Sequence, residues 1–368
     1  MKLKRIIIAG GGTGGHIFPA IAVAKALQRI NPAIEILFIG AKGKMEMEKV
    51  PQAGFKIEGL DISGFNRSRI WKNWSLPFKL IRSFIQVKNI FGAFRPDAVF
   101  GVGGYSSFPV LKYAQRKGIP SFLHEANSVG GKSNVMLSKN ADLVMVAEPE
   151  LNKYFPKGKI FISGNPIRDE IAHSTVLRED ALDFFGLKKD KLTILVVGGS
   201  LGARSINHAI AKGIDKIINA NLQLIWQTGK GAFDIIDESL RNKKEVFISE
   251  FIHKMDYAYV ASDIVVSRAG AIALAEICAM KKPSVLVPFP FAAEDHQTGN
   301  AMALVKSHAA LMIADRDVEE KLVDAVIQLI QDKAKCEVFS EAAGSMFIQD
   351  ADMLIANKII EKLELRND

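Results

Sequence analysis

Cysteine is scarce in this chain, since Cys278 and Cys336 are the two cysteines among 368 residues. Two widely separated thiols exclude a disulfide framework and a cysteine metal site, and they favour a reducing compartment. Long apolar runs are missing as well, so no segment is predicted to span a bilayer. The apolar run behind the basic start stops at Gly10, which is too short for a signal peptide. We therefore expect a cytoplasmic protein without a membrane-spanning anchor.

Acidic residues are absent between Asp61 and Asp97, where basic side chains alternate with aromatic ones. Residues 1–150 contain 21 Lys and Arg against 10 Asp and Glu, a net +11, whereas residues 151–368 contain 27 against 30, a net −3. A basic and aromatic surface suits the headgroup layer of an anionic membrane. The side chains predicted to dock there are Trp71, Lys72, Trp74, Phe78, Lys79 and Arg82. The alternative is a core-facing amphipathic helix with a solvated basic side; nucleic acid is a weaker partner because no nucleic-acid motif is present.

A strand, a glycine-rich turn and a helix occur twice. The first copy reads IIIAGGGTGGH over residues 6–16, and the second reads TILVVGGSLGA over residues 193–203. Glycine lets backbone N–H groups at the start of a helix approach a phosphate closely. Helical stretches, the first predicted from about Phe18 to Arg29, alternate with strand-like runs. These runs lie at 34–39, 98–100, 121–124, 143–147 and 160–162, and then at 192–197, 222–227, 245–248, 264–267, 284–288 and 310–313. This alternation predicts an α/β protein with two Rossmann-like domains, whose parallel sheets face each other across a cleft.

The length of the chain and its 48% hydrophobic residues also favour two domains over one. A turn or hinge is predicted at the Gly-Asn-Pro sequence of residues 164–166. The predicted N-terminal domain covers residues 1–166 and the predicted C-terminal domain covers 167–346. Residues 347–368 are predicted to form a helix, with a helical pattern from 348 to 364, that packs back on the N-terminal domain.

Two familiar nucleotide motifs fit this chain poorly. The first glycine turn satisfies G-x-G-x-x-G, but the second strand ends in Ile39-Gly40-Ala41-Lys42 without the acidic residue that holds a dinucleotide's ribose, and Glu35 lies at the wrong end of that strand. Residues 131–133 have the tail of a P-loop, but the leading glycine position holds Ala126. We therefore expect no nicotinamide or flavin cofactor and no ATPase site.

A third glycine turn and a late helix complete the candidate site. Gly103, Gly104 and Tyr105 follow the strand at 98–100. Any one of the glycine turns could instead be a simple tight turn without a ligand. After the strand at 264–267, small residues open a helix that reaches Glu276, whose carboxylate could hold a ribose or pair with Arg268. The polar loop at 294–300 could bind the hydroxyls of a sugar.

The histidines show no metal-binding spacing such as H-E-x-x-H, so we expect no metal. His16 and His124 lie in loops at strand ends. A loop histidine can act as a base or as a hydrogen-bonding spacer, and both possibilities stay open for these two residues.

Taken together, these motifs resemble the MurG family of bacterial peptidoglycan N-acetylglucosaminyltransferases over nearly the whole chain. The segments that carry the resemblance are GGTGGH at 11–16, GGY at 103–105, HEAN at 124–127, GNPIR at 164–168, GGSLGA at 198–203, SRAGA at 267–271 and DHQT at 295–298. One departure is Ala126, where relatives often have Gln. It leaves open a side-chain contact at that position and does not affect the role of Asn127.

The resemblance implies the GT-B fold and an inverting transfer of N-acetylglucosamine. The donor would be UDP-N-acetylglucosamine, the acceptor the muramoyl C4 hydroxyl of undecaprenyl-diphosphate-linked muramoyl-pentapeptide (lipid I), and the product lipid II, made at the cytoplasmic face of the membrane for cell-wall biogenesis, cell shape and cell division. Other cell-wall synthesis proteins are possible partners. The alternatives are another GT-B enzyme, such as a UDP-sugar 2-epimerase or a glycolipid glycosyltransferase, and a membrane-docked sugar-nucleotide sensor.

The resemblance also assigns residues. Donor-binding residues would be Thr13, Gly14, Gly15, Asn127, Arg168, Ser200, Ile252, Ala271, Ile272, Ala273, Leu274, Ala275, Glu276, Gln297 and Thr298. Acceptor-binding residues would be Gly103, Gly104, Tyr105 and His124. We hypothesise that His16 is the general base, with Glu125 as second choice, and that helix N-termini with Ser200 stabilise the departing diphosphate without a metal.

Overall fold

The computed structural model describes residues 3–64, 74, 76–199, 201–233 and 236–366. Two compact units form the chain: Met1–Arg168 together with Asp350–Asp368 is the first, and Asp169–Gln349 is the second. The domain boundaries that we place at 166 and 346 remain a prediction.

The first unit contains a parallel sheet of seven strands in the order β3-β2-β1-β4-β5-β6-β7. The strands are β1 (Arg5–Ala9), β2 (Glu35–Ala41), β3 (Lys56–Leu60), β4 (Ala98–Gly101), β5 (Ser121–Glu125), β6 (Leu143–Val146) and β7 (Ile160–Ile162). The helices are α1 (Gly14–Ile30), α2 (Glu46–Gln52), α3 (Leu76–Phe94), α4 (Ser107–Arg116), α5 (Lys132–Ser138) and, at the end of the chain, α15 (Ala351–Leu365). The strand order reverses between β1 and β4, and open α/β sheets bind ligands at such a reversal, beyond the carboxyl ends of the strands.

The continuous apolar run of β1 follows from its place in the centre of this sheet, because helices cover both faces. Ile6 and Ile8 pack into the core cluster that includes Leu27 of α1 and Ile359 of α15. Ile7, on the opposite face, belongs to the cluster that includes residues of α3 and α4. The buried face of α15 therefore makes the end of the chain part of the first unit's core.

The second unit contains a parallel sheet of six strands in the order β10-β9-β8-β11-β12-β13. The strands are β8 (Leu192–Val197), β9 (Leu222–Gln227), β10 (Val246–Ser249), β11 (Ile264–Ser267), β12 (Ser284–Leu286) and β13 (Ala310–Met312). The helices are α6 (Asp169–Ala172), α7 (Arg178–Phe184), α8 (Arg204–Asn219), α9 (Glu238–Arg241), α10 (Met255–Ala261), α11 (Ala271–Ala279), α12 (His296–Lys306), α13 (Val318–Gln331) and α14 (Lys333–Met346). Both units are thus Rossmann-like, which confirms the predicted fold class.

Local differences from the sequence prediction have physical causes. The first helix begins at Gly14, four residues before the predicted start, because Gly14 and Gly15 form its first turn behind Thr13 in extended conformation. Strand β3 was not predicted, because it is a partly exposed edge strand without an apolar run. No helix in the described ranges has the length and apolarity needed to cross a membrane.

Candidate functional site

Two glycine turns meet at the carboxyl edge of the first unit's sheet. Gly104 has a φ of +83°, and a Cβ atom on it would lie 2.6 Å from the carbonyl oxygen of Gly11. Gly103 has a φ of +91° and faces His16, since a Cβ atom there would lie 3.1 Å from the imidazole Nε2. A side chain at either glycine would therefore disturb the contact between the turns that follow β1 and β4.

His16 lies in the first turn of α1, beside these glycines. Its Nδ1 is 3.4 Å from the hydroxyl oxygen of Thr13. The tautomer that has its proton on Nδ1 could donate to Thr13, and it would carry a lone pair on Nε2, the nitrogen that faces Gly103. This orientation is compatible with a general base. The catalytic role of His16 remains a prediction.

Tyr105 offers a hydroxyl group next to the same turns. The oxygen is buried and has no hydrogen-bond partner among the residues that the structure describes. Burial and, to a lesser extent, the nearby Glu46 carboxylate raise the pKa of Tyr105. The phenol is therefore protonated at neutral pH and can donate a hydrogen bond, as an acceptor-binding residue would need to do.

Glu125 holds the loop that follows β5. Its Oε2 accepts hydrogen bonds from Gly131 N and Asn134 Nδ2, both at 2.9 Å. Its Oε1 accepts from the backbone and side-chain nitrogens of Asn127, both at 3.2 Å. The carboxylate is buried, and four donors surround it. This arrangement favours a positioning role for Glu125 over its predicted role as an alternative base, and it orients the Asn127 side chain.

His124, one residue earlier, is buried in the first unit. Its Nε2 lies 3.1 Å from the carbonyl oxygen of Gly164, so it donates a hydrogen bond there when it is neutral. Burial lowers the pKa of His124 to about 4, and the charge of His16 contributes to the shift. A buried neutral imidazole favours the spacer alternative over the predicted contact with the acceptor. That contact stays a prediction.

Arg168 is the last residue of the first unit's N-terminal segment and follows the Gly-Asn-Pro sequence of residues 164–166. Its guanidinium lies over the ring of Phe18 in α1, with Cζ 5.8 Å from the ring centroid. This contact places the cation beside the helix that begins with Gly14 and Gly15. Its predicted contact with the donor remains a prediction.

In the second unit, the glycine turn after β8 packs against the turn after β9. A Cβ atom on Gly202 would lie 2.2 Å from the carbonyl oxygen of Thr228. Gln227 braces both this region and the segment that precedes α10: its Nε2 donates to Gly199 O at 3.3 Å, and its Oε1 accepts from Ile252 N at 2.9 Å. Ile252 itself is buried. Ser200, the predicted diphosphate ligand of this turn, lies outside the described residues.

Helix α11 presents its N-terminus at the carboxyl end of β11. Gly270 caps the helix, and a Cβ atom on it would meet nothing within 4 Å. The N–H groups of the first turn can therefore approach an anion closely. Its first residues are Ala271, Ile272, Ala273, Leu274 and Ala275, of which Ile272 and Leu274 are buried.

Glu276 lies farther along α11 and is buried. Its Oε2 accepts a hydrogen bond of 3.2 Å from the hydroxyl of Tyr259. Arg268, the partner that we considered as a structural alternative, instead donates to Asp315 Oδ1 at 2.6 Å and to Ser205 Oγ at 3.1 Å. The predicted ribose contact of Glu276 therefore remains a prediction.

The polar loop before α12 is ordered by its own side chains. Gln297 Oε1 accepts from Phe289 N at 2.9 Å, and Thr298 Oγ1 donates to Asp295 Oδ1 at 2.7 Å. Asp295 itself has a left-handed φ of +52°. These bonds hold Gln297 and Thr298 at the start of α12, where they are half-buried. Their predicted contacts with the donor sugar are untested.

The basic and aromatic segment is partly described. Trp74 is exposed, and α3 exposes Phe78, Ile81 and Ile85, while Trp71 and Lys72 lie outside the described residues. Lys79 Nζ donates to Ser63 Oγ at 3.2 Å, and Arg82 forms an ion pair of 3.2 Å with Asp61. Opposite these exposed side chains, α3 buries Val87 and Phe91. The helix thus has a core-facing side, as our alternative holds, and also an exposed apolar and basic side.

Sequence reasoning missed three supporting residues: Glu46, Gln227 and Asp315. None of the three belongs to a sequence motif, and only the structure shows their contacts. Glu46 binds Gly12 of the first glycine turn, Gln227 binds Gly199 of the second, and Asp315 binds Arg268. No cluster of His, Cys, Asp and Glu that could hold a metal ion is found in the part of the chain that the structure describes.

The chain is similar to known families and proteins. The model of the glycosyltransferase family 28 N-terminal domain matches residues 6–146, and that of the family 28 C-terminal domain matches residues 193–355. The chain is 44% identical to a relative from Bacteroides thetaiotaomicron, over 100% of both chains. It is also 44% identical to one from Parabacteroides distasonis, over 99% of this chain and 100% of the relative. Both relatives are named UDP-N-acetylglucosamine--N-acetylmuramyl-(pentapeptide) pyrophosphoryl-undecaprenol N-acetylglucosamine transferase.

Among solved structures, MurG from Acinetobacter baumannii is similar with a TM-score of 0.75 and 26% identity, covering 98% of this chain and 99% of that one. A putative UDP-N-acetylglucosamine 2-epimerase from Listeria monocytogenes is similar with a TM-score of 0.73 and 15% identity, covering 100% of this chain and 97% of that one. At that identity the second likeness shows the fold alone.

Proposed function

The chain belongs to the MurG family of N-acetylglucosamine transferases, and from this premise we propose that it transfers N-acetylglucosamine from UDP-N-acetylglucosamine to lipid I in peptidoglycan synthesis. The observation that carries the proposal is the match of 44% identity over the full length of transferases with that name. The donor and the acceptor follow from the names of these relatives. The roles of individual residues are our own further proposals.

We propose that His16 receives the proton of the acceptor's C4 hydroxyl. The hydroxyl oxygen forms a bond to the anomeric carbon of the donor, and the bond between that carbon and the β-phosphate oxygen of UDP breaks, which inverts the sugar linkage. The orientation of Nε2 towards the Gly103 turn supports this role. Tyr105 supports acceptor binding in the same unit, because its buried hydroxyl can donate a hydrogen bond.

We propose that the second unit binds the UDP part of the donor. Negative charge grows on the diphosphate as the sugar leaves, and N–H groups at the start of α11 can stabilise that charge. Gly270 supports this assignment, because it leaves the space before the helix open. Glu276 is proposed to bind the ribose, and Gln297 with Thr298 the sugar.

Replacing Glu276 by alanine tests the donor assignment. A ribose contact predicts weaker binding of UDP-N-acetylglucosamine to Glu276→Ala in calorimetry. Tyr259→Phe is the control, because it removes the hydrogen bond from the Tyr259 hydroxyl but keeps the carboxylate. Unchanged donor affinity in Glu276→Ala, with the variant folded, would remove Glu276 from the donor site.

We also propose that the exposed side of α3 docks on the cytoplasmic face of the membrane, where the lipid of the acceptor resides. Phe78 and Ile81 are 69% and 62% exposed, and in the sequence they are followed directly by Lys79 and Arg82. The double variant Phe78→Glu/Ile81→Glu should lose binding to vesicles that contain phosphatidylglycerol, whereas Leu177→Glu, at an exposed site of the second unit, should keep it. Equal sedimentation of the wild type, the double variant and Leu177→Glu with these vesicles would contradict this docking surface.

The overall function is tested by measuring UDP release from UDP-N-acetylglucosamine with and without a short-chain lipid I analogue, followed by mass analysis of the lipid. We expect release that depends on the acceptor and a gain of one N-acetylhexosamine. Conversion of the donor to another UDP-sugar without acceptor would instead indicate an epimerase.

A further inference from the structure

A buried carboxylate lies directly beneath the first glycine turn. Glu46 is 1% exposed. Its Oε2 accepts a hydrogen bond from Gly12 N, and its Oε1 accepts one from Ala41 N, both at 2.9 Å. One side chain thus ties the turn after β1 to the end of β2.

The position of this carboxylate explains why residues 11 and 40 are glycine. A Cβ atom on Gly11 would lie 2.2 Å from Glu46 Oε1, and one on Gly40 would lie 2.4 Å from Glu46 Cγ. In glycine turns that bind nucleotides, the absence of side chains lets a phosphate approach the backbone. Here the same absence makes room for a carboxylate of the protein itself.

The turn that Glu46 binds is followed directly by Thr13 and by His16, the proposed general base. Thr13 follows Gly12, and its carbonyl oxygen accepts hydrogen bonds from His16 N at 3.1 Å and from Ile17 N at 3.2 Å. Tyr105 is close as well, because a Cβ atom on Gly12 would lie 3.6 Å from its ring carbon Cε1. A shift of Gly12 would therefore be transmitted to the side chains of His16 and Tyr105.

We infer that Glu46 is a positioning residue for the transfer reaction: its carboxylate is the resident anion of the first glycine turn and fixes the backbone from which Thr13 and His16 extend. It follows that the N–H of Gly12 is already bound to a carboxylate of the protein and is not available to the diphosphate of the donor or of the acceptor. The inference rests on the proposed function only for its kinetic consequence, because the internal anion site itself does not depend on the reaction.

The test combines Glu46→Ala with rescue by formate. Alanine removes the carboxylate and leaves the N–H groups of Gly12 and Ala41 facing a space of its size. We expect kcat to fall by about 10- to 100-fold, as misplacement of a reacting group by about 1 Å does, with the KM for UDP-N-acetylglucosamine changed by less than about threefold. Formate should restore part of kcat, whereas neutral formamide should not. Glu48→Ala is the matched control, because Glu48 lies on the same helix with its side chain 67% exposed.

A second readout does not require activity. Formate should raise the melting temperature of Glu46→Ala and leave that of the wild-type protein unchanged, because the wild-type turn is already occupied. If the alanine variant does not fold, Glu46→Gln takes its place: it keeps the volume but turns an amide donor towards one of the two N–H groups, so it too should lower kcat.

Three results would overturn the inference: a kcat of either variant within twofold of the wild type, a folded Glu46→Ala that formate neither stabilises nor reactivates, or equal stabilisation of the wild type by formate. An inactive wild-type protein would instead contradict the proposed function, and the melting experiment would still decide whether the turn holds an internal anion.

Discussion

Replacing Glu125 by alanine is expected to destabilise the first unit by about 3 kcal/mol, because the carboxylate accepts four hydrogen bonds from the loop that follows β5. The two shorter bonds, from Gly131 N and Asn134 Nδ2, measure 2.9 Å. A hydrogen bond to a charged group contributes about 1.5–3 kcal/mol to stability. We assign about 1.5 kcal/mol to each of these two bonds. The two bonds from Asn127 are given no contribution, because water can replace them at that half-buried residue. For a unit of this size, about 3 kcal/mol corresponds to a fall in melting temperature of roughly 6–12 °C.

The assay is thermal unfolding by calorimetry, combined with the pH dependence of kcat. A positioning role predicts a lower melting temperature and a lower kcat in Glu125→Ala, while the acidic limb of the pH profile remains. The control is Glu150→Ala, which removes an exposed carboxylate of the same unit and should change the melting temperature by less than about 1 °C.

A general base would behave differently, because loss of the proton acceptor affects the chemical step directly. The reasoning is refuted if Glu125→Ala melts within about 1 °C of the wild type, loses at least 100-fold in kcat and no longer shows the acidic limb. That result would return Glu125 to the role of base and would make His16 the supporting residue.

Three further predictions concern the two units. His16→Ala should lower kcat by roughly 10²–10⁴-fold, and a loss below tenfold with a normal pH profile would exclude it as the base. The pKa of His124 is about 4 in the folded protein and 6.5 ordinarily, so the unfolded chain binds more protons between these values and the free energy of unfolding should fall as the pH drops from 6.5 to 4. His124→Phe should reduce this dependence of the unfolding free energy on pH in urea titrations, and an unchanged dependence would contradict the burial argument. Gly202 and Gly231 share a φ of +77°, but the Cβ atom of alanine would overlap Thr228 O at the first and meet nothing at the second. Gly231→Ala should therefore cost about 1–2 kcal/mol and Gly202→Ala at least about 2 kcal/mol more, and equal losses in urea unfolding would show that backbone strain alone matters.

Much of the fold could be predicted from the sequence because buried parallel strands are continuous apolar runs. The runs at 160–162, 192–197, 222–227 and 264–267 have the bounds of β7, β8, β9 and β11. Edge strand β3 escaped the same reasoning, since three of its five residues, Lys56, Glu58 and Gly59, are not apolar. The start of α1 escaped it because glycine is a poor helix former, although here the first turn of the helix is built from Gly14 and Gly15.

The supporting residues of the site could not be predicted because their partners are distant in sequence. Glu46 lies in the stretch KGKMEMEK at 42–49, which has the composition of a solvated helix. Its burial depends on Gly11, 35 positions earlier, and on Gly40 lying beside it in the folded sheet. Gln227 similarly ends an ordinary strand, and its contacts with Gly199 and Ile252 arise from the order of strands in the sheet.

The two glycine turns show that a repeated motif need not imply a repeated ligand. In the first turn, the N–H of Gly12 faces the buried Glu46 carboxylate, which supplies the negative charge that such turns attract. In the second unit, the bracing group is the neutral Gln227 amide, which donates to the carbonyl of Gly199, and no negative charge is introduced by that contact. The N–H of Gly12 is therefore not available to a diphosphate, whereas the contact with Gln227 adds no negative charge to the second turn. This difference in charge, which the motif alone does not reveal, supports our proposals that the second unit binds the nucleotide and that the first turn positions His16.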